Sequence, residues 1–256
     1  MARASITLLI TLLDDAYYLP EWVECVRRIA PDEVLVADGG SKDGGPEFLE
    51  QQELPNLRVV RRSMESFGWQ RYKQLNFATA LARCDWILML DADEAFWPPR
   101  RRPIDQAIRC RGPRVISLWP ARFHLWPDDH TRLDHGAHLD PQPRLWKRNA
   151  GIRWARTVHI AQTLDSELIG YRHPRAELIA SPVILHRKLI APRHLRLARH
   201  RRWLERYREA SALVGIPIPK RMPDDYGPTV PLPPKAANWR EQLMGKCALA
   251  ARGKHR

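Results

Sequence analysis

WILMLDADEAF, residues 86–96, is the stretch whose reading decides the fold. Trp86 to Leu90 is an unbroken apolar run, and it predicts a short strand covered on both faces. Strands of that kind belong to parallel sheets with helices above and below. The run stops on Asp91, Asp93 and Glu94. Carboxylates crowded together repel and raise one another's pKa unless a cation or hydrogen-bond donors compensate.

Working outward, the same grammar repeats. ITLLITLL (6–13) predicts a first buried strand ended by Asp14-Asp15, and EVLVA (33–37) a second, stopped by Asp38-Gly39-Gly40. LRVV (57–60) predicts a third. Between them, LPEWVECVRRI carries Pro20 near a helix start and Val23, Val26 and Ile29 at helical spacing. Residues 69–83 put Tyr72, Leu75, Ala78 and Ala82 on one helix face. Strand and helix alternate, so the fold class is α/β, a Rossmann-like, mostly parallel sheet with helices on both faces.

The second half changes character. VISLW (115–119), RFHLW (122–126), RLWKR (144–148) and VILHR (183–187) are short β-like pieces between loops rich in Pro, Asp and His, and predict a partly antiparallel extension of the sheet. Residues 193–214 read as a helix with an apolar stripe and a basic back, and the chain after Pro217 as a Pro-rich, basic extension. The division expected is one domain over 1–216 (a first half 1–100, a second half 101–190, a basic helix 191–216) followed by the extension 217–256.

Composition bounds the partners. With 42 Lys and Arg against 29 Asp and Glu the net charge is +13, which draws the chain to polyanions. Cys25, Cys84, Cys110 and Cys247 form no metal-spaced pair and read as reduced thiols of a cytoplasmic protein. The apolar run 6–13 meets Asp14 with no small-residue cleavage site, and nothing approaches the roughly 20 apolar residues of a membrane helix. Any membrane contact, as at an inner membrane face, has to be peripheral.

Ligands of a parallel sheet bind outside the carboxyl ends of its strands. Asp14-Asp15, Asp38 and Asp91-Ala92-Asp93 all fall there. A hard divalent ion, Mg2+ or Mn2+, is a natural compensator for such acids, because it takes oxygen ligands and leaves positions for phosphate. Strand alternation would point Asp91 and Asp93 the same way. The loop from Asp38 to Gly45 lacks the residue order of a phosphate-binding loop, and its acids suit hydroxyl and base N–H groups instead. Lys73 is a candidate for the phosphates.

ITLLITLLDDAYYLPEWVE, VLVADGGSKDGG and QRYKQLNFATALARCDWILMLDADEAF resemble, in that order, the motifs of family 2 glycosyltransferases, inverting enzymes of the GT-A fold that use nucleotide-sugar donors. The LDADE variant resembles the branch that includes lipopolysaccharide-core glucosyltransferases. The resemblance covers residues 5 to 100 and continues loosely through PQPRLWKRNAGIRWARTVHI and VILHR. It implies donor contacts at Thr11, Asp15, Asp38, Ser41, Asp43 and Asp91, a metal ligand at Asp93, and a second at His186. The implied donor is a UDP-sugar.

Where relatives read V-H-E, this chain has Val158-His159-Ile160, so an acid expected near the acceptor is missing. The general base of an inverting transfer is then sought among Asp128, Asp129, Asp140, Glu94 and His159, with Asp129 preferred. Two polyanionic acceptors compete: a lipopolysaccharide-type or other envelope glycan, favoured by the resemblance, and DNA with hydroxymethylated bases. Trp119, Trp126, Trp146 and Trp154 are candidate stacking platforms, although most such residues are core. A nucleotidyltransferase requires a glycine- and arginine-rich phosphate loop that Ser5 to Asp15 lacks. A non-catalytic nucleotide-sugar-binding module stays open.

Overall fold

The computed structural model describes residues 3–133, 140–155, 161–198 and 229–231. Most of the expected basic helix and Pro-rich extension, and His159, lie outside the described residues. The first half contains β1 (Ile6–Leu12), α1 (Leu19–Ile29), β2 (Glu33–Asp38), α2 (Gly45–Glu50), β3 (Leu57–Arg61), α3 (Arg71–Leu81), β4 (Trp86–Met89), β5 (Glu94–Trp97) and α4 (Arg101–Arg109). The second half is nearly all strand: β6 (Ser117–His124), β7 (Thr131–Leu133), β8 (Leu145–Lys147), β9 (Arg153–Ala155), β10 (Ala161–Leu164), β11 (Glu167–Ile169) and β12 (Ala176–His186), with β13 (Thr229–Pro231) paired to β7.

Eight strands form one sheet in the order β3-β2-β1-β4-β8-β6-β12-β5. β1 pairs in parallel with both β2 and β4, so the strand order reverses beside β1 and opens a crevice at the carboxyl ends. β8 enters antiparallel between β4 and β6, and β5 closes the far edge antiparallel to β12. The mixed α/β sheet expected from the sequence is therefore present.

Two apolar layers explain the continuous runs. Leu8, Ile10 and Leu12 of β1 pack with α1, whereas Leu9 joins Leu75 and Ala78 of α3, Trp146 and Trp154 on the other face. Alternate residues thus serve opposite cores, and a run buried on both faces has no polar phase. Asn76 fastens α3 to β9, a strand of the separate three-stranded sheet β11-β10-β9, by donating to the Trp154 carbonyl and accepting from its N–H, each at 2.8 Å.

The second half departs from expectation in one respect. VISLW and RFHLW belong largely to a single strand, β6, that runs through Pro120. The proline interrupts the hydrophobic pattern without ending the strand. Trp119, Trp146 and Trp154 are buried core residues; only Trp126 is partly exposed, with the Arg196 guanidinium 5.3 Å from its ring centroid.

Candidate active site

Three loops meet at the carboxyl ends of β1, β2 and β4. The last residue of β2, Asp38, is buried, and its carboxylate accepts from the Gly40 N–H, the Ser41 N–H and the Ser41 hydroxyl at 3.0, 3.1 and 2.6 Å. Ser41 accepts in turn from the Asp14 N–H at 3.0 Å, and Asp14 accepts from the Lys42 N–H at 2.8 Å. Asp43 takes the Ala16 and Gly45 N–H groups at 2.7 and 3.1 Å. Asp15 sits at the entry of the 3-10 turn 16–18, where its carbonyl accepts from the Tyr18 N–H. The acids of the first two loops therefore lace these loops into one rigid lip.

Glycine is required twice in that lip. A Cβ on Gly39 would lie 2.8 Å from Cγ of Met64, and Gly40 adopts a φ of +95°.

The acids after β4 are held differently from expectation. β4 ends at Met89, and residues 91–93 form a turn closed by the Glu94 N–H on the Asp91 carbonyl at 2.9 Å. Strand alternation no longer applies there, and Asp91 and Asp93 have different partners. Asp91 lies between two guanidiniums, Arg71 and Arg144, the second at 2.9 Å. Glu94, fully buried, receives Arg144 at 2.9 and 2.7 Å and Arg122 at 3.4 Å. Burial opposes the Arg144 charge, but Glu94 and Asp91 outweigh it and raise the pKa. Arginines thus compensate two of the three acids.

Asp93 is buried, and its Oδ2 lies 3.1 Å from Nε2 of His186 at the end of β12. Burial pushes the His186 pKa down to about 3, against the pull of the Asp93 carboxylate, so the ring is neutral at ordinary pH and keeps a lone pair. His186 Nδ1 lies 2.7 Å from Nδ1 of His124, whose Nε2 is 2.8 Å from Asp140. Arg122 grips Asp140 at 2.8 and 2.6 Å. Burial pushes the Asp140 pKa up, but His124 and Arg122 together hold its carboxyl well below the ordinary range.

Among the described residues, no group of three or more His, Cys, Asp or Glu side chains is disposed to hold a metal ion. One carboxylate beside one neutral imidazole nevertheless fits a divalent ion of the Mn2+ or Mg2+ kind. Such ions commonly rest on one or two protein ligands and complete their shell with substrate phosphates and water.

The remaining expected residues sort by position. Thr11 accepts from Arg71 at 3.2 Å, so Arg71, at the start of α3, faces the crevice, while Lys73 is exposed. Arg71, Arg122 and Arg144 were not singled out for the site from the sequence. The signal available was one arginine in each of WQRYK, PARFH and PQPRL, with no spacing to link them. Asp128 caps its own turn, accepting from the His130 and Thr131 N–H groups at 2.8 and 2.9 Å, and its pKa is lowered because these donors outweigh burial. Asp129, half-buried on that loop, faces His130 at 3.2 Å. His159 lies outside the described residues.

Residues 7–108 match the family model described as glycosyl transferase family 2. A TPR repeat-containing protein of Synechococcus elongatus is 28% identical over 195 residues, which is 72% of this chain and 42% of that protein. A glycosyltransferase family 92 protein of Ricinus communis is 29% identical over 98 residues, 37% of this chain and 16% of that protein. The chain thus spans less than half the length of these curated relatives. The crystal structure of S. aureus TarS 1–349 superimposes with a TM-score of 0.50 at 12% identity, covering 72% of this chain and 60% of that one. The likeness shows the fold, the GT-A type expected from the sequence.

Proposed function

We propose that this chain is an inverting glycosyltransferase that moves a sugar from a nucleotide-sugar donor, a UDP-sugar, to a hydroxyl of a polyanionic acceptor. The observation that carries the reading is the Asp91-Ala92-Asp93 turn at the topological switch point, opposite the Asp38 loop and joined to His186 across the sheet. The family 2 match over the same half supports it.

In this reading the Asp38 lip receives the nucleoside and Asp91 the donor sugar. Arg71, whose side chain keeps 38% of its surface exposed, bridges Thr11 and Asp91 and would meet the diphosphate. Asp93 and His186 would hold a divalent ion. Bound there, such an ion supplies Lewis-acid stabilisation of the leaving diphosphate. Glu94 is excluded as the base by its two guanidinium partners, and Asp128 by its own turn. Asp140 is held by Arg122, His124 and Gln142, and His159 lies outside the described residues. We assign the acceptor proton to Asp129, which takes it as that hydroxyl attacks the anomeric carbon. Asp129→Asn is predicted to lower kcat by about 10²–10⁴ with an unchanged donor KM; an unchanged kcat removes it from the mechanism.

The acceptor reading needs amendment. Two arginines of the basic stretches 100–102 and 144–156 are structural: Arg101 is buried and bonded to Asp32 and Asp105 at 2.9 and 2.8 Å, and Arg144 belongs to the acid cluster. Arg100, Arg102, Arg109, Arg114 and Arg153 remain exposed. We favour an envelope-type acidic glycan, reached from a peripheral position at a membrane face. Among the described residues no helix is long and apolar enough to cross a membrane. The test is a panel of UDP-, GDP- and TDP-sugars assayed on truncated lipopolysaccharide and on hydroxymethylated DNA. Transfer to the glycan is expected; transfer to DNA alone reassigns the acceptor, and no transfer or hydrolysis with any donor rejects the enzyme.

A further inference from the structure

The sheet register sets His186 of β12 opposite His124 of β6 on one side and Glu94 of β5 on the other. The two imidazoles meet edge to face, with centroids 4.6 Å apart and planes at 75°. Their Nδ1 atoms are 2.7 Å apart, so one must donate and the other accept. A cation that takes the Nε2 lone pair of His186 sets the direction: the ring hydrogen then sits on Nδ1 of His186, and Nδ1 of His124 accepts it. His124 Nε2 lies 2.8 Å from Oδ2 of Asp140, a carboxylate already fixed by Arg122 and by the Gln142 amide at 2.9 Å. A carboxylate only accepts, so the remaining hydrogen of His124, on Nε2, goes to Asp140. His186 Nε2 and Asp93 Oδ2, 3.1 Å apart, would then share the cation in place of the hydrogen bond they can otherwise make.

We infer that His124 and Asp140 are positioning residues that orient His186 and fix its tautomer, so that its Nε2 and the Asp93 carboxylate form a two-atom seat for a divalent ion. The inference rests on the metal reading proposed above. A carboxylate commonly orients a metal-binding histidine directly; here a second histidine extends the connection to a carboxylate on the segment before β8. His124 and Asp140 touch neither the ion nor the sugar.

The test is Mn2+ binding, read from the free-ion electron paramagnetic resonance signal with UDP present and no acceptor. His124→Phe keeps the ring volume and removes the acceptor; His124→Asn restores an oxygen close to the Nδ1 position. We expect His124→Phe to weaken Mn2+ about 10–100-fold, Asp140→Ala to weaken it at least several-fold, and His124→Asn to stay within about threefold of the native chain. UDP affinity in EDTA and the thermal midpoint of His124→Phe should match the native chain. Native-like Mn2+ binding by His124→Phe overturns the inference and leaves the metal reading standing. Equal loss in the Phe and Asn variants also overturns it, because only packing would then matter. Failure of the native chain to bind Mn2+ with UDP overturns the metal reading and this inference with it.

Discussion

Arg144 shows how the acids after β4 are tolerated. Its guanidinium donates to both Asp91 and Glu94 from a fully enclosed position, with side-chain exposure of 5%. Removing one partner of a buried ion pair leaves the others uncompensated, so Arg144→Met is predicted to cost about 3–5 kcal/mol of stability. Urea denaturation measures it, and a loss under about 1 kcal/mol would show that the cluster is hydrated like a surface pair. The sequence made the acids conspicuous and their partners invisible. Asp91, Asp93 and Glu94 are neighbours in a line of text, whereas Arg71, Arg122 and Arg144 reach them from three separate elements. The compensation expected of a metal ion is largely done by arginine, which confines the metal proposal to Asp93 and His186.

At the level of elements, what was legible depended on whether a segment's neighbours were also its neighbours in sequence. β1, β2 and β4 are central parallel strands, and their unbroken apolar runs report burial on both faces directly. α3 showed its helical spacing and ends within two residues of the expected boundaries. β6 was divided in two on the page because Pro120 reads as a stop, and the return of β5 to the far edge beside β12 had no local sign. That return matters, because it sets the Asp91–Asp93 turn between the middle of the sheet and its edge, within reach of His186. The docking of α3 should be testable by itself. Asn76→Ala loses both bonds to the Trp154 backbone and is predicted to destabilise by about 1–3 kcal/mol, measured by chemical denaturation; no change would mean that apolar packing alone seats the helix.

For the whole molecule, charge acts at two distinct places. At the end of the sheet remote from the acids, Asp32 accepts from the Ile6 N–H, Arg101 and Arg3, and Glu33 from Thr7, Arg58 and the Arg83 N–H. Burial raises both pKa values, but these donors outweigh it and the net shifts are downward. A depressed folded pKa means that the unfolded chain binds protons first. The stabilisation is therefore complete above the unfolded carboxylate pKa, about 4, and is lost as pH falls through the lower folded values. The gap in thermal midpoint between the native chain and Asp32→Asn is predicted to hold from neutral pH to about 5 and to narrow below about 4. In the proposed function the exposed arginines act at the other place, on the acceptor, whose binding should then weaken as salt rises. Net charge is what suggests a polyanion partner in the sequence, but which arginines are exposed became visible only with the fold.

The most direct test of the central proposal is turnover of UDP-hexose to UDP with Mn2+ and with EDTA, for the native chain and Asp93→Asn. The proposed mechanism predicts Mn2+-dependent UDP release by the native chain, abolished by EDTA and lowered by about 10²-fold or more in Asp93→Asn. Full turnover in EDTA, or native-like turnover by Asp93→Asn, would contradict it.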